Sequence, residues 1–304
     1  MAYTGTGTEQ DPYLVSTLTD FLTCAAIAGA YVKVISDINS ADDPNYEGEL
    51  TNPISIMCRK LYADQDKIIS GITVTAAHFM ESIRSSETAS ECDIVHLQFL
   101  HCTHNKTVTG SVSDRADMVF YTSNETAALN FDHSAFSMRL NCGIHPHWIS
   151  EDDTVTFHKC SMYFDINTEG DHQHLVLGYC TECNIHIKGA KYSSNYMRHL
   201  SNSSRCGLIS EECVFNLISS SSSTTSKTAL QNCHYVYIAL VNPQRADSLE
   251  NIIELHTYGN SSSCVIASDS SSVRGKSGGG TGFSSITLDQ LKDRDYLLNI
   301  GFLP

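Results

Sequence analysis

The amino-acid sequence predicts an all-β protein, a single-stranded right-handed parallel β-helix (β-solenoid) with a short helix covering each end. Three observations lead to this prediction. Short stretches of alternating polar and apolar residues are separated by turns rich in Ser, Asn, Gly and Asp. A small residue recurs at a fixed position relative to apolar residues, with a period of roughly 20 to 50 residues, as in solenoids, arrays and propellers. No amphipathic helix separates the strand patterns, although parallel strands normally need a helical crossover outside a solenoid.

The repeat begins at a small residue, the anchor, and places apolar residues two and four positions after it. The anchors are Cys102, Ser134, Cys160, Cys183, Cys213 and Cys233, and neighbouring anchors lie 20 to 32 residues apart. The second position holds Phe136, Met162, Ile185, Phe215 and Tyr235, and the fourth holds Met138, Phe164, Ile187, Leu217 and Tyr237. We expect the anchors to stack as one ladder at an inner corner too tight for a Leu, with the apolar pairs filling the core. A β-sandwich is the competing fold, but it does not explain a small residue at a constant phase.

Both ends of the chain contain patterns that predict a helical cover for an open sheet edge. Thr17 and Asp20 resemble a capping box before an apolar helical stripe, and Gly29 fits the end of that helix. Thr287 and Gln290 form a second capping box near the C-terminus. The predicted organisation is an N-terminal segment with a capping helix (1–30), a solenoid body (31–260), and a flexible Ser/Gly loop followed by a C-terminal helical cap (261–304).

Charge and composition exclude several classes of partner. The chain of 304 residues has a formal net charge of −15 and no run of Lys or Arg, which disfavours nucleic acid and anionic membranes as partners. No stretch of about 18 apolar residues predicts a transmembrane helix. The N-terminus lacks the basic and apolar regions of a secretory signal, so we expect the chain to fold in a cytoplasm. Its 12 cysteines are then expected to be free thiols that pack as small buried hydrophobes.

The two ends and the repeat together resemble a known group of proteins. The stretch GTGTEQDPYLVSTLTDFL, the repeated body and the closing stretch SITLDQLKDRDYLLNIGF are similar to the small parallel β-helix proteins of tailed bacteriophage virions. That group includes accessory head proteins, fibres and spikes. The resemblance implies a structural protein of the virion that assembles in the host cytoplasm.

The same resemblance implies the partners and the alternatives. The partners would be other virion proteins, either the major capsid protein or tail components, and a homo-oligomer such as a trimer is compatible with the sequence. A non-catalytic head decoration protein is favoured, because the chain has no separate trimerising or carbohydrate-binding module. The alternative is a tail fibre or spike that binds or depolymerises a host-surface polysaccharide.

Catalysis in the polysaccharide alternative would need two carboxylates, which glycoside hydrolysis places roughly 5 to 9.5 Å apart. Glu182 and Glu212 each precede an anchor, so in a single ladder they would face each other across one strand spacing of about 4.8 Å. None of the residues that directly follow the anchors is acidic. Glu182 and Glu212 are therefore more simply interpreted as solvated charges in turns. A cysteine nucleophile would need a paired base, and His186 and His234 are candidates only by proximity.

A metal site is the remaining chemical candidate. His172, His174, Cys180 and Cys183 bring two imidazoles and two thiols into 12 residues. Zinc takes such ligands, but the order and spacing of a zinc finger are missing, and Cys183 already belongs to the predicted ladder. The sequence therefore favours no metal and no cofactor.

Overall fold

The structure is a computed structural model that describes residues 3–82, 90–106, 119–122, 127–142, 149–150, 154–168, 177–192, 200–215, 228–245, 253–271, 273–277 and 283–303. These residues form an all-β structure with parallel sheets, which confirms the predicted class. The chain divides into two compact units. Unit 1 comprises residues 1–141 and 149–164, and unit 2 comprises residues 142–148 and 165–304.

Unit 1 contains one α-helix, a 3-10 turn and mostly short strands. Its elements are β1 (Tyr13–Val15), α1 (Leu18–Ala25), β2 (Tyr31–Val34), β3 (Ile38–Asn39), the 3-10 turn (Ser40–Asp42), β4 (Ile54–Ser55), β5 (Lys60–Ser70), β6 (Thr73–Val74), β7 (Met80–Ser82), β8 (Ser90–Lys106), β9 (Phe120–Thr122), β10 (Ala127–Asp132), β11 (Ala135–Cys142) and β12 (Val155–His158). Strand β13 (Ser161–Thr168) begins in unit 1 and ends in unit 2.

Strands of unit 1 pair in parallel with strands that follow later in the chain. The main sheet has the order β1-β2-β5-β8-β11, β10 pairs with β8 and β12, and β4-β7-β9 form a second sheet. The register aligns Val32 with Leu61 and Leu61 with Ile94, and all three side chains are fully buried. Inward positions therefore form apolar rows across the strands, as expected when alternate residues of each strand face the core.

Unit 2 uses the same parallel pairing in three sheets. Its strands are β14 (Leu177–Gly178), β15 (Cys180–Thr181), β16 (Asn184–Lys188), β17 (Lys191–Tyr192), β18 (Leu200–Ser201), β19 (Gly207–Glu211), β20 (Val214–Phe215), β21 (Thr228–Gln231), β22 (Tyr237–Val241), β23 (Gln244–Arg245), β24 (Ile253–Tyr258), β25 (Cys264–Ser268), β26 (Val273–Ser277) and β27 (Phe283–Thr287). Two short helices follow, α2 (Leu288–Lys292) and α3 (Arg294–Asn299). The sheets have the orders β16-β19-β22-β25-β27, β14-β18-β21-β24-β26 and β17-β20-β23.

The predicted N-terminal helix is present as α1. The Thr17 hydroxyl accepts a hydrogen bond from the Asp20 backbone N–H at 3.2 Å, so Thr17 is the N-cap. The helix buries Leu18 and Phe21, and the Phe21 ring lies 6.4 Å from that of Phe99. Helix α1 thus covers apolar core residues of unit 1 with its buried face.

The C-terminal segment differs from the prediction in two ways. The predicted capping box is present, with bonds of 3.1 and 2.8 Å between Thr287 and Gln290, but the part predicted as a flexible Ser/Gly loop contains strands β25 and β26. In addition, Leu297 and Phe302 pack on Val265 in a cluster with β25 and β27 side chains. Val265 alternates with the inward-facing Cys264, so these residues pack on the outer face of the sheet.

Candidate functional site

A recurring corner positions most of the residues that the sequence singles out. In this corner a residue with positive φ is followed by a small buried residue, as at Glu182 (φ 56°), Arg205 (φ 54°) and Glu212 (φ 52°). Positive φ is uncommon outside glycine, so the repetition defines a local backbone motif. The small side chain then donates to the carbonyl two residues earlier; the distances are 3.3 Å for Cys183 to Thr181, 3.1 Å for Cys206 to Ser204, 3.4 Å for Cys213 to Glu211, 3.3 Å for Cys264 to Ser262 and 2.8 Å for Ser203 to Ser201.

The same small side chains also reach the neighbouring repeat. Cys206 Sγ lies 3.2 Å from the Cys180 carbonyl oxygen, and Cys264 Sγ lies 3.1 Å from that of Cys233. A thiol or hydroxyl at the corner therefore supplies a hydrogen-bond donor within reach of two carbonyl oxygens, one in its own repeat and one in the neighbouring repeat. This explains why Cys and Ser recur there better than small size alone.

The anchors of unit 2 do not form the single ladder that the sequence predicts, and this prediction is wrong. Strand registers place Cys233 in a row with Cys180, Ser203 and Ser261, and Cys183 in a second row with Cys206, Val236 and Cys264. Cys213 lies in a third row, opposite Ala190. One repeat contains up to three corners with the same local sequence, so anchors chosen by local pattern come from different corners.

The anchors of unit 1 also lie in different rows. Ser134 and Cys160 share a row, since Asp132 pairs with His158 and the Ser161 backbone N–H donates to the Ser134 carbonyl at 3.1 Å. Cys102 lies opposite Ile72 instead, because Thr103 pairs with Thr73. Register also brings Leu97 into the row of Ser134, after His96 with φ 57°. A Leu therefore fits this corner, contrary to the prediction.

The C-x-x-C sequence is explained by two corners three residues apart. Cys180 and Cys183 follow Tyr179 and Glu182, which both have positive φ; both thiols are buried and neither is in a disulfide. His172 and His174, the other ligands considered for zinc, lie outside the described residues. Within the residues that the structure describes, no group of three or more His, Cys, Asp or Glu side chains could hold a metal ion.

Burial keeps the thiols protonated. It raises the pKa of Cys102 and of Cys213 to about 12, and that of Cys264 to about 11. Such thiols are poor nucleophiles near neutral pH. The two bases considered make other contacts, His186 Nε2 to Glu211 Oε2 at 2.7 Å and His234 Nδ1 to Ser262 Oγ at 2.6 Å.

The predicted carboxylate pair is not aligned. Glu182 belongs to the row of Arg205, and its Oε1 lies 3.3 Å from Arg205 Nη1. Glu212 follows Glu211, which pairs with Lys188, and Lys188 Nζ lies 3.2 Å from Glu212 Oε2. The two acids therefore lie at different corners, and the prediction that they face each other across one strand spacing is wrong.

The apolar positions that the structure describes are confirmed except at the last copy, and Leu217 lies outside the described residues. Phe136, Met162, Ile185 and Phe215 are buried, but Tyr235 is 43 % exposed. Tyr235 itself has positive φ (55°), so a second corner follows Cys233 and the inward positions shift to Val236, Ile238 and Leu240.

An open groove lies beside Tyr235, and the sequence reasoning missed it. This feature, the aromatic groove, is a cavity of about 450 Å³ in unit 2, lined by Asn184, Arg205, Gly207, Tyr235, Tyr237 and Phe302 among others. One lining residue is Gly207, which stands in register between Asn184 and Tyr237, and nothing in the local sequence shows this pairing.

Unit 1 carries a surface cluster of imidazoles and carboxylates. His96 Nδ1 lies 2.9 Å from Asp66 Oδ1, and Asp132 Oδ1 lies 2.9 Å from His133 Nδ1 and 2.7 Å from His158 Nδ1. The rings of His96 and His133 are 5.1 Å apart. These contacts orient the rings on an exposed face, as carboxylates commonly do for imidazoles.

Comparison with known proteins gives no relative. No protein-family model, no curated protein and no solved structure matches the chain. Among the described residues, no helix has the length and apolar character needed to cross a membrane.

Proposed function

We propose that the protein is a structural component of a bacteriophage virion, a right-handed parallel β-helix that docks on other virion proteins and catalyses no reaction. Within this proposal, decoration of the head is favoured over a place in the tail. The observation that carries it is the parallel pairing of three sheets in unit 2, in which each strand lies beside its counterpart one repeat later. This pairing supports a wound chain, because the described residues between the paired strands include no helix.

The chemistry of the candidate residues supports a docking role over a catalytic one. Glu182 and Glu212 are each held by a cation, Arg205 and Lys188 respectively, at separate corners. A hydrolase would need its two carboxylates on either side of one bond. The buried thiols have raised pKa values and serve the backbone instead.

The covered N-terminal end supports a protein that does not polymerise through its own strands. Thr4 forms an antiparallel bridge with Leu14 of β1, and α1 buries apolar residues beside it. A first strand that is already bridged offers a poor template for another chain. Docking would then use exposed strand faces instead of the edge of the first strand.

A density map of the complete particle that carries this protein tests the proposal. We expect density that fits the two units on the outside of the head, and its loss from particles produced without the protein. Density in the tail would support a role in the virion and would show that the protein docks on tail components instead of the head. Particles that are indistinguishable with and without the protein would contradict the proposal.

A second experiment tests the non-catalytic part. The purified protein and the double variant Glu182→Gln/Glu212→Gln are incubated with surface polysaccharide of the host, and released reducing ends are measured. The proposal predicts no release by either protein. Release by the unmodified protein that the double variant abolishes would establish a depolymerase.

A further inference from the structure

The aromatic groove of unit 2 is a built concave site that the proposed virion role does not use. Its volume of about 450 Å³ falls within the range of small-molecule pockets, roughly 300 to 1,000 Å³. It opens on the outer face of β16, β19 and β22, where Phe302 near the end of the chain forms one wall.

The floor of the aromatic groove contains Gly207, which has no side chain. Asn184, Gly207 and Tyr237 occupy one row of the sheet, in three successive strands. A Cβ atom on Gly207 would collide with the Tyr237 hydroxyl oxygen and with the ring carbon that carries it. The Tyr237 ring therefore lies across Gly207 and forms an aromatic wall, and the space on the Asn184 side stays open.

The rim of the groove combines an exposed aromatic ring with an ion pair. Glu182, Arg205 and Tyr235 occupy the corner row beside the floor and share positive φ values of 56°, 54° and 55°. Tyr235 is 43 % exposed, and Arg205 Nη1 lies 3.3 Å from Glu182 Oε1. Arg205 lines the groove and offers N–H donors, and its charge is balanced by Glu182 beside it in the corner row.

We propose that the aromatic groove binds a neutral saccharide unit. The pyranose C–H face is apolar and flat, so it fits against the Tyr235 and Tyr237 rings, which combine an apolar body with a polar hydroxyl. Sugar hydroxyls both donate and accept; in the lining of the groove the Arg205 guanidinium donates charge-assisted hydrogen bonds, and the Asn184 amide both donates and accepts. A phosphate or carboxylate ligand is disfavoured, because Glu182 would repel it beside Arg205.

This inference goes beyond the virion role and does not depend on where the protein sits in a particle. A structural protein with such a groove could hold a glycan without cleaving it. The particle map tests docking, and the binding experiment below tests the groove, so failure of one is distinguishable from failure of the other.

The test uses the full chain on an array of neutral and charged bacterial glycans, followed by calorimetric titration of the strongest neutral oligosaccharide. We expect saturable binding to at least one neutral glycan. Tyr235→Ala should weaken it about tenfold or more, because one stacking face is lost. The matched control is Tyr179→Ala, since Tyr179 is also an exposed tyrosine (42 %) with positive φ (50°), but does not line the groove.

A second variant, Gly207→Ala, displaces the Tyr237 ring and should also weaken binding, and unfolding midpoints of all three variants confirm that they fold. Absence of binding to every neutral glycan would overturn the proposal, as would equal losses for Tyr235→Ala and Tyr179→Ala. Binding restricted to charged glycans would overturn the assignment to a neutral ligand. A protein segment cross-linked in the groove, with no glycan bound, would assign the site to a protein partner instead.

Discussion

Unit 1 and unit 2 use the same positive-φ corners but fill the space inside them differently. Unit 1 has a cluster of phenylalanines, in which Phe131 and Phe157 stack with ring centroids 5.1 Å apart and planes inclined by 8°. Unit 2 has rows of thiols and hydroxyls, such as Cys183, Cys206 and Cys264. The corner therefore fixes the local backbone and favours a thiol or hydroxyl there, as Ser134 and Cys160 show in unit 1, and the interior beside the corners can hold different side chains.

The interiors of the two units are stabilised by different interactions. Stacked and edge-on aromatic pairs bury large apolar areas, which favour folding through the hydrophobic effect and ring contacts. A corner thiol buries little area, but its S–H bonds to carbonyls of two repeats, as Cys206 does. We therefore expect truncations to cost more in unit 1 than in unit 2.

The largest expected effect is the replacement Phe120→Ala in unit 1. Phe120 is fully buried, and its ring centroid lies 5.1 Å from Phe131, 5.0 Å from Phe136 and 5.7 Å from Phe157. Truncation of such a ring lowers the free energy of unfolding by about 3 to 5 kcal/mol, because a cavity remains in the cluster. Urea unfolding followed by circular dichroism measures the loss, and hydrogen exchange locates it in unit 1.

Phe120→Leu is the matched control for that replacement, because it keeps most of the apolar volume. It should lose less than half as much stability. A loss below about 1 kcal/mol for Phe120→Ala would contradict the assignment of the aromatic cluster as the main source of stability in unit 1.

The second expected effect is a loss of stability at alkaline pH, to which one buried thiol in each unit contributes. Burial raises the pKa of Cys102 in unit 1 and of Cys213 in unit 2 from 9.0 to about 12. Between these values the unfolded thiol has lost its proton and the folded one keeps it. The stabilisation is therefore complete below pH 9 and falls as the pH rises to 12, by about 1.4 kcal/mol per pH unit for each thiol.

Unfolding measured from pH 8 to 11 tests this dependence. Cys213→Ser removes one titrating group, so the fall of stability with pH should be shallower in this variant by the contribution of one thiol. Identical slopes for the variant and the unmodified protein would show that Cys213 ionises as easily in the folded state as in the unfolded chain.

Local sequence patterns predicted the elements that depend on neighbouring residues. The N-cap at Thr17 and the capping box at Thr287 are present because the side chain and backbone that pair lie three residues apart. Burial at Phe136 and Ile185 was predictable from alternation along a single strand. Each of these features is decided within a few residues.

The rows and the groove were not predictable, because they depend on registers between distant strands. Cys213 and Cys233 have similar local sequences, yet one lies opposite Ala190 and the other in the row of Ser203. A chain with several equivalent corners in each repeat gives no local signal of which corners align. Tyr235 was misassigned to the core for the same reason, and the groove beside it was missed.

The contribution of the thiol rows to stability can be measured at Cys206. Cys206→Ala should lower the stability of unit 2 by about 1 to 2 kcal/mol, from the loss of the single S–H donor shared between carbonyl oxygens at 3.1 and 3.2 Å and from the small cavity left behind. Cys206→Ser should cost less than half of this, because Ser203 and Ser261 already occupy equivalent corners and donate to carbonyls at 2.8 and 2.7 Å. Thermal unfolding of the two variants compares them directly. Equal losses would mean that the corner selects volume and not a donor.

The smallest expected effect compares the two helix caps. Thr287→Ala removes the hydroxyl arm of the capping box of α2, keeps the bond from its backbone N–H to Gln290 Oε1, and should cost about 0.5 to 1 kcal/mol. Thr17→Ala removes one cap of α1, but α1 buries Leu18 and Phe21, whereas α2 has no buried residue. Loss of the α1 cap should therefore loosen core packing as well and cost more, up to about 2 kcal/mol. Hydrogen exchange at the two helices separates the effects; a larger loss for Thr287→Ala would place the stabilising cover of the protein at its C-terminal helices.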